Sequence, residues 1–245
     1  MLKQLLASVG IGACKIDTRL HSTSLVAGGT LAGEIHIRGG EVAQQIDGFS
    51  LSLQTRVKVS TDNGDHYQNH SLQRFRVAQS MLVAPGSQHT VPFQVQLTQE
   101  LPVTQLPGHQ VGKLWLSTEA DVSMALDPSD QDLLQVTAPS YVLNCIQAML
   151  DLGFQLQKVD VEKGFLRAAG LQTHSGCYQE FEFRPRQWLS GVREVELSFV
   201  PQQQEVAVLI ELDRVMRGDS YKLLRLPLNA SVTECHRQLS QFLRY

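Results

Sequence analysis

The chain of 245 residues predicts a mainly β protein: two antiparallel sandwiches in tandem, joined by one helix and closed by another. Three observations carry this expectation. Apolar and polar residues alternate with a period of two along most of the chain, as strands with one wet face require. Turn-forming pairs stand between the alternating runs: Gly28-Gly29, Gly39-Gly40, Asn63-Gly64, Pro85-Gly86 and Pro107-Gly108. Two stretches, near Ser140 and Ser231, change to a 3.6-residue period.

The strands of the first half come in order. Ile35 and Ile37 alternate in "EIHIR". In "FSLSLQTRVKV", Phe49, Leu51, Leu53, Val57 and Val59 share one parity, and Ser50, Ser52, Gln54, Arg56 and Lys58 share the other. Val91, Phe93, Val95 and Leu97 repeat the pattern, as do Leu114, Leu116, Val122 and Met124. Short strands with such punctuation and no helical period between them imply an antiparallel sandwich. His66 and His70 follow the hairpin signal Asn63-Gly64, so they belong to a returning strand. Four residues along a strand span roughly 13 Å, too far for one metal ion.

The pattern changes at Pro139. Val142, Leu143, Ile146, Met149 and Leu150 follow helical spacing, and Gly153 supplies a stop, giving a helix of about three turns. The expected organisation is a sandwich over 1–138, a connector helix over 139–153 and a second sandwich with a terminal helix over 154–245. Alternation returns through Phe181 and Phe183, then Val195, Leu197 and Phe199, then Val206, Val208, Ile210 and Leu212. Pro201 to Gln204 turns the last two runs into a hairpin. Ser231 with Glu234 three residues on has capping-box spacing, and Val232, Cys235, Leu239, Phe242 and Leu243 form one stripe. Such a stripe is expected to dock on its own domain.

Charge and motifs narrow the function classes. With 21 Lys+Arg against 24 Asp+Glu the formal net charge is −3, so no global field draws the chain to nucleic acid. Cys14, Cys145, Cys177 and Cys235 lack any C-x-x-C spacing, which excludes a zinc knuckle or a sequence-encoded redox pair and predicts buried reduced thiols. The run "MLKQLLASVGIGACK" is too short and too interrupted for a signal peptide, and no stretch approaches the ~20 apolar residues of a membrane span. A cytoplasmic protein is expected.

"GIGACK" lacks the third glycine of a dinucleotide loop, and "GHQVGKL" is one residue short of a phosphate loop, with Leu114 where a hydroxyl is needed. No G-x-S-x-G elbow or Cys/His signature is present, so no catalytic residue and no cofactor is expected. "ALDPSDQD" concentrates Asp127, Asp130 and Asp132 beside Pro128. It lacks the glycine and the bidentate glutamate of a calcium loop and reads as a turn, with a weak divalent-ion site as the alternative. Arg184, Arg186, Trp188 and Arg193 make "RPRQWLSGVR" the most basic stretch. It reads as a solvated loop or as a docking patch for an acidic partner or anionic lipid.

The segments "LLASVGIGACKIDTRL", "GGTLAGEIHIRGGEVAQQIDGFSLSLQTR", "YQNHSLQRFRV", "MALDPSDQD", "LDLGFQL" and "QEFEFRP" together resemble the sporulation-control protein M (SpoOM) family of bacteria, over essentially the whole chain. The alternating core also resembles the wider arrestin-like clan. That resemblance implies two immunoglobulin-like β-sandwich domains in tandem, acting as adaptor or regulator and not as an enzyme, with no catalytic residues to carry over. Residues Glu162 to Cys177 depart from the family pattern.

The expected function is a non-enzymatic cytoplasmic regulator or scaffold that binds protein partners, using exposed strand edges and loops. The alternatives are a ligand-binder or enzyme with a site between the domains, and a peripheral membrane adaptor using "LKQLLASV" and the arginine loop.

Overall fold

The computed structural model describes residues 12–62, 64–122, 127–168, 171–187, 191–215 and 220–243. The amino-terminal run before Gly12, Asn63 and Met124 lie outside them. The chain divides into two units. The first holds Met1–Thr55, Asn69–Leu101 and Lys113–Val136, and the second holds Arg56–Gln68, Pro102–Gly112 and Thr137–Tyr245.

In the first unit, β1 (Lys15–Leu20), β3 (Thr30–Arg38) and β7 (Gln88–Gln96) form an antiparallel sheet with β3 central. β7 is an edge of this sheet, the position where Pro92 can lack an N–H without breaking a ladder. The other sheet is organised around β4 (Gln44–Thr61). On one side of β4 lies β10 (Leu114–Val122), followed by β11 (Ser129–Val136) and the short parallel β2 (Ser24–Leu25). On its other side lie β5 (Gly64–Val77) and β6 (Met81–Val83).

Inward residues of both sheets form the core. Ile35 from one sheet and Phe49, Leu51, Leu53, Leu114 and Leu116 from the other are all fully buried. Each such side chain contributes about 1.5–3 kcal/mol by leaving water. Ile46 and Phe49 have opposite parity, yet both are fully buried. A bulge explains this: Asp121 pairs with Gly48 but Val122 pairs with Ile46, so one extra residue resets the facing of the strand.

The second unit is a meander of β12 (Phe154–Lys163), β15 (Cys177–Pro185), β16 (Val192–Pro201), β17 (Glu205–Arg214) and β18 (Ser220–Pro227), antiparallel throughout. Lys58, on the part of β4 that belongs to this unit, pairs with Glu162 of β12 in parallel. Two small hairpins complete it: β8 (Gln105–Leu106) with β9 (His109–Gln110), and β13 (Arg167–Ala168) with β14 (Leu171–Gln172).

One face of the meander is the hydrophobic side. Phe181, Phe183, Val195, Leu197, Ile210 and Leu212 are buried there beneath α1 (Ser140–Asp151) and α2 (Val232–Leu243). The buried stripe of α1 is Tyr141, Val142, Cys145, Ala148 and Met149, while Leu143 and Ile146 are only half-buried. The helical period was therefore legible, but a small alanine and a thiol hold the centre of the contact.

Helix α1 stops where Gly153 takes φ +88° and donates its N–H to Leu150 O at 3.1 Å. At the start of α2 the Ser231 hydroxyl accepts the Glu234 N–H at 3.2 Å, a cap contributing about 1 kcal/mol. The stripe of α2 docks on its own unit through Cys235, Leu239 and Leu243.

Candidate functional site

The opposite face of the meander carries the chemistry. Residues paired across neighbouring strands share a face. The register places Lys158 against Glu182, Asp160 against Glu180, Glu162 against Tyr178, Glu182 against Glu196, and Glu196 against Glu211. Carboxylates therefore occupy the outward positions of four consecutive strands. Their neighbours in sequence, Phe181, Phe183, Val195, Leu197 and Ile210, point to the core, so folding of the hydrophobic side fixes the acidic side.

The apolar end of the same face is covered by Leu166 and Leu171. Leu166 and Leu171 pack on Val200 and Ala207, with Tyr178, Leu209 and Leu223 around them. Thr173 Oγ1 accepts the Leu166 N–H at 3.0 Å. Beside this cover the central carboxylates are half-buried.

Glu180, Glu196 and Glu211 each offer a carboxylate oxygen within 4.8 Å of the others. Partial burial and the fields of Glu196, Glu162 and Glu211 push Glu180 up to about 8. Burial, with Glu211, Glu194 and Glu182 adding to it, pushes Glu196 up to about 7. Burial and a hydrogen bond with Glu194 raise Glu182. Tyr221 donates its hydroxyl to Glu211 Oε1 at 2.7 Å. The cluster can share protons, close on a divalent cation through Glu180, Glu196 and Glu211, or receive a cationic side chain.

Countercharge comes from one end. Lys58 Nζ lies 2.9 Å from Glu162, 3.5 Å from Asp65 and 3.9 Å from Asp160. Burial works against its charge, but the hydrogen bond to Glu162 and the three carboxylate fields hold it above its ordinary value. Lys158 pairs with Asp160, and Tyr67 donates to Asp160 Oδ1 at 3.1 Å.

The residues singled out by sequence lie as follows. Arg184 donates through Nε to Glu194 at 2.8 Å and through Nη2 to Glu182 at 3.2 Å, and Arg193 sits 3.7 Å from Asp213. These arginines are electrically part of the acidic face. Arg186 is exposed and its N–H is held by Gly153 O at 2.9 Å; Trp188 lies outside the described residues.

The three aspartates of "ALDPSDQD" do not all lie in a turn: strand β11 begins at Ser129 and carries Asp130 and Asp132. Asp127 Oδ1 accepts the Val122 N–H at 2.9 Å, closing β10, whereas Asp130 Oδ2 accepts the Thr18 N–H of β1 at 2.6 Å. Asp132 is pushed up to about 6 by burial, Asp130 and Asp17, and its Oδ2 is buried without a hydrogen-bond partner among the described residues. Asp127 and Asp130 thus each satisfy one backbone N–H.

Sequence reasoning missed the carboxylate face because it sought acidic residues adjacent in the chain. The available signal was parity. "QEFEF", "REVELSF" and "LIELD" all place glutamate between core residues, strand after strand.

Among the described residues no helix is long and apolar enough to cross a membrane. Comparison with known proteins gives one family, whose model, described as SpoOM protein, matches residues 2–216. The sporulation-control protein spo0M of Bacillus subtilis (strain 168) is 33% identical over 258 residues, covering 98% of this chain and 95% of that protein. The crystal structure of Spo0M, sporulation control protein, from Bacillus subtilis is similar with a TM-score of 0.81 and 28% identity, covering 95% of this chain and 98% of that one. The β-sandwich class expected from the alternation, and the arrestin-like form implied by the resemblance, is the class observed.

Proposed function

The chain belongs to the SpoOM protein family, and from that membership we propose that it is a cytoplasmic regulatory protein of the sporulation-control type that performs no catalysis and acts by binding protein. The docking face is the carboxylate ladder of the second unit, and the segment it receives is rich in lysine or arginine. The regulatory part of this reading rests on the relatives, which are named for sporulation control.

One observation carries the choice of face. Glu180, Glu196 and Glu211 hold carboxylate oxygens within 4.8 Å of one another, and burial and neighbouring charge raise Glu180 and Glu196 to about 8 and about 7. An ammonium or guanidinium brought among them offsets that repulsion, so binding and ionisation assist each other. Arg184, Arg193 and the exposed Arg186 border the ladder and set where along it a basic segment can lie.

Fluorescence anisotropy with a labelled lysine- and arginine-rich peptide tests this. Binding is expected to weaken steeply with salt, and by at least about tenfold when Glu180, Glu196 and Glu211 are all changed to Gln. Equal affinity in the triple variant would overturn the assignment.

A further inference from the structure

We propose that Cys145 and Cys235 are an oxidisable pair whose disulfide staples the two helices of the second unit together. Cys145 lies on α1 and Cys235 on α2, both with 0% exposure in one shared core cluster. The two helices pack on each other, each carries its cysteine on its buried stripe, and each thiol shifts the other's protonation. No sequence motif announces the pair, since 89 residues separate its members (235 − 145 − 1). The other two cysteines are placed differently: Cys177 Sγ is 4.0 Å from Ser175 Oγ, and Cys14 belongs to the first unit.

The environment also distinguishes the two sulfurs. Cys235 stands in the opening turns of α2, and the hydrogen bond from Cys145 holds it below its ordinary value. The hydrogen bond to Cys235 and burial hold Cys145 above its own. Its place near the amino terminus of α2 makes Cys235 the attacking sulfur and Cys145 the resolving one. Both thiols are fully buried, so a small oxidant reaches them when α2 opens locally.

The oxidant class is a peroxide. The Cys235 thiolate attacks one oxygen of hydrogen peroxide, the O–O bond breaks, and a sulfenic acid and one water result after proton uptake. The Cys145 thiolate then attacks that sulfur. The S–S bond forms at about 2.05 Å, the S–O bond breaks, and a second water leaves. Two electrons pass from the two sulfurs to the peroxide, and the two thiol protons end in the water produced. A closed loop of this length restricts the unfolded chain and locks α2 onto α1.

The test treats the intact chain with hydrogen peroxide, quenches it, and maps cross-linked peptides by mass spectrometry alongside thermal unfolding. The expected result is a bridge between Cys145 and Cys235 and a melting temperature higher by about 10 °C. Both are reversed by dithiothreitol, and both are absent in Cys145→Ala and Cys235→Ala. A bridge using another cysteine, oxidation of either sulfur without a bridge, or a bridge that leaves the melting temperature unchanged overturns the proposal. Because bridge and melting shift are read in the unaltered chain, the outcome does not depend on the variants folding.

Discussion

Glu180 on β15 and Glu196 on β16 hold carboxylate oxygens within 4.8 Å of each other on the outward face of the second unit's sheet. Like charges at that range disfavour joint ionisation, and their partial burial adds to the effect. The strands stay in place because the residues between these glutamates belong to a fully buried core. Phe181, Phe183, Val195 and Leu197 are at most 1% exposed.

Stability follows pH in a set direction. Glu180 and Glu196 bind protons more tightly in the folded chain, at about 8 and about 7, than at their ordinary value of 4.5. Their contribution is therefore fully present below pH 4.5 and is lost as pH rises through 7 to 8. Glu180→Gln, which imitates the protonated acid, is expected to stabilise the protein at pH 8 by about 1–2 kcal/mol and to flatten the profile. Urea unfolding from pH 5 to 8.5 measures both.

Lys58 is the countercharge at one end of the ladder. Lys58→Met leaves Glu162 and Asp160 without it and is expected to cost about 1–3 kcal/mol. Adding Glu162→Gln should recover part of that loss, so a double-mutant cycle should return a coupling of about 1 kcal/mol or more. Additive single effects would mean that the pair is only a surface contact.

In the first unit, Asp130→Ala removes the acceptor of the Thr18 N–H and is expected to destabilise by about 1–2 kcal/mol. Asp132→Asn should act the other way above pH 6. Asp132 is raised to about 6, so the folded chain loses stability as that group ionises, and the amide does not ionise. Thermal unfolding of both variants at pH 5 and pH 8 separates the two effects.

Much of this architecture could be read from alternation, because a period of two reports which side chains meet a core. Phe49, Leu51 and Leu53 were assigned inward and are fully buried. The bulge at Gly48 was not legible, since the residue that resets the parity is identified by its partner strand. The terminal helix was legible in both cap and stripe, through Ser231, Glu234 and Leu239.

The candidate site was only half visible. Asp127, Asp130 and Asp132 drew attention because they are neighbours in the chain, yet two of them point their charge at single N–H groups. Glu180, Glu196 and Glu211 are 16 and 15 residues apart (196 − 180 and 211 − 196), and only the hairpin register brings them together. The same holds for Lys58 and Glu162, which meet through a parallel pairing that no local pattern encodes.

The most direct measurement is a backbone amide NMR titration of the full chain with a lysine-rich peptide at low and at high salt. The expected shifts concentrate on Glu180, Glu196, Glu211 and their strand neighbours, vanish at high salt, and are lost in the variant with those three glutamates changed to Gln. Shifts centred elsewhere, or shifts that persist unchanged in that variant, would contradict the carboxylate ladder as the docking face.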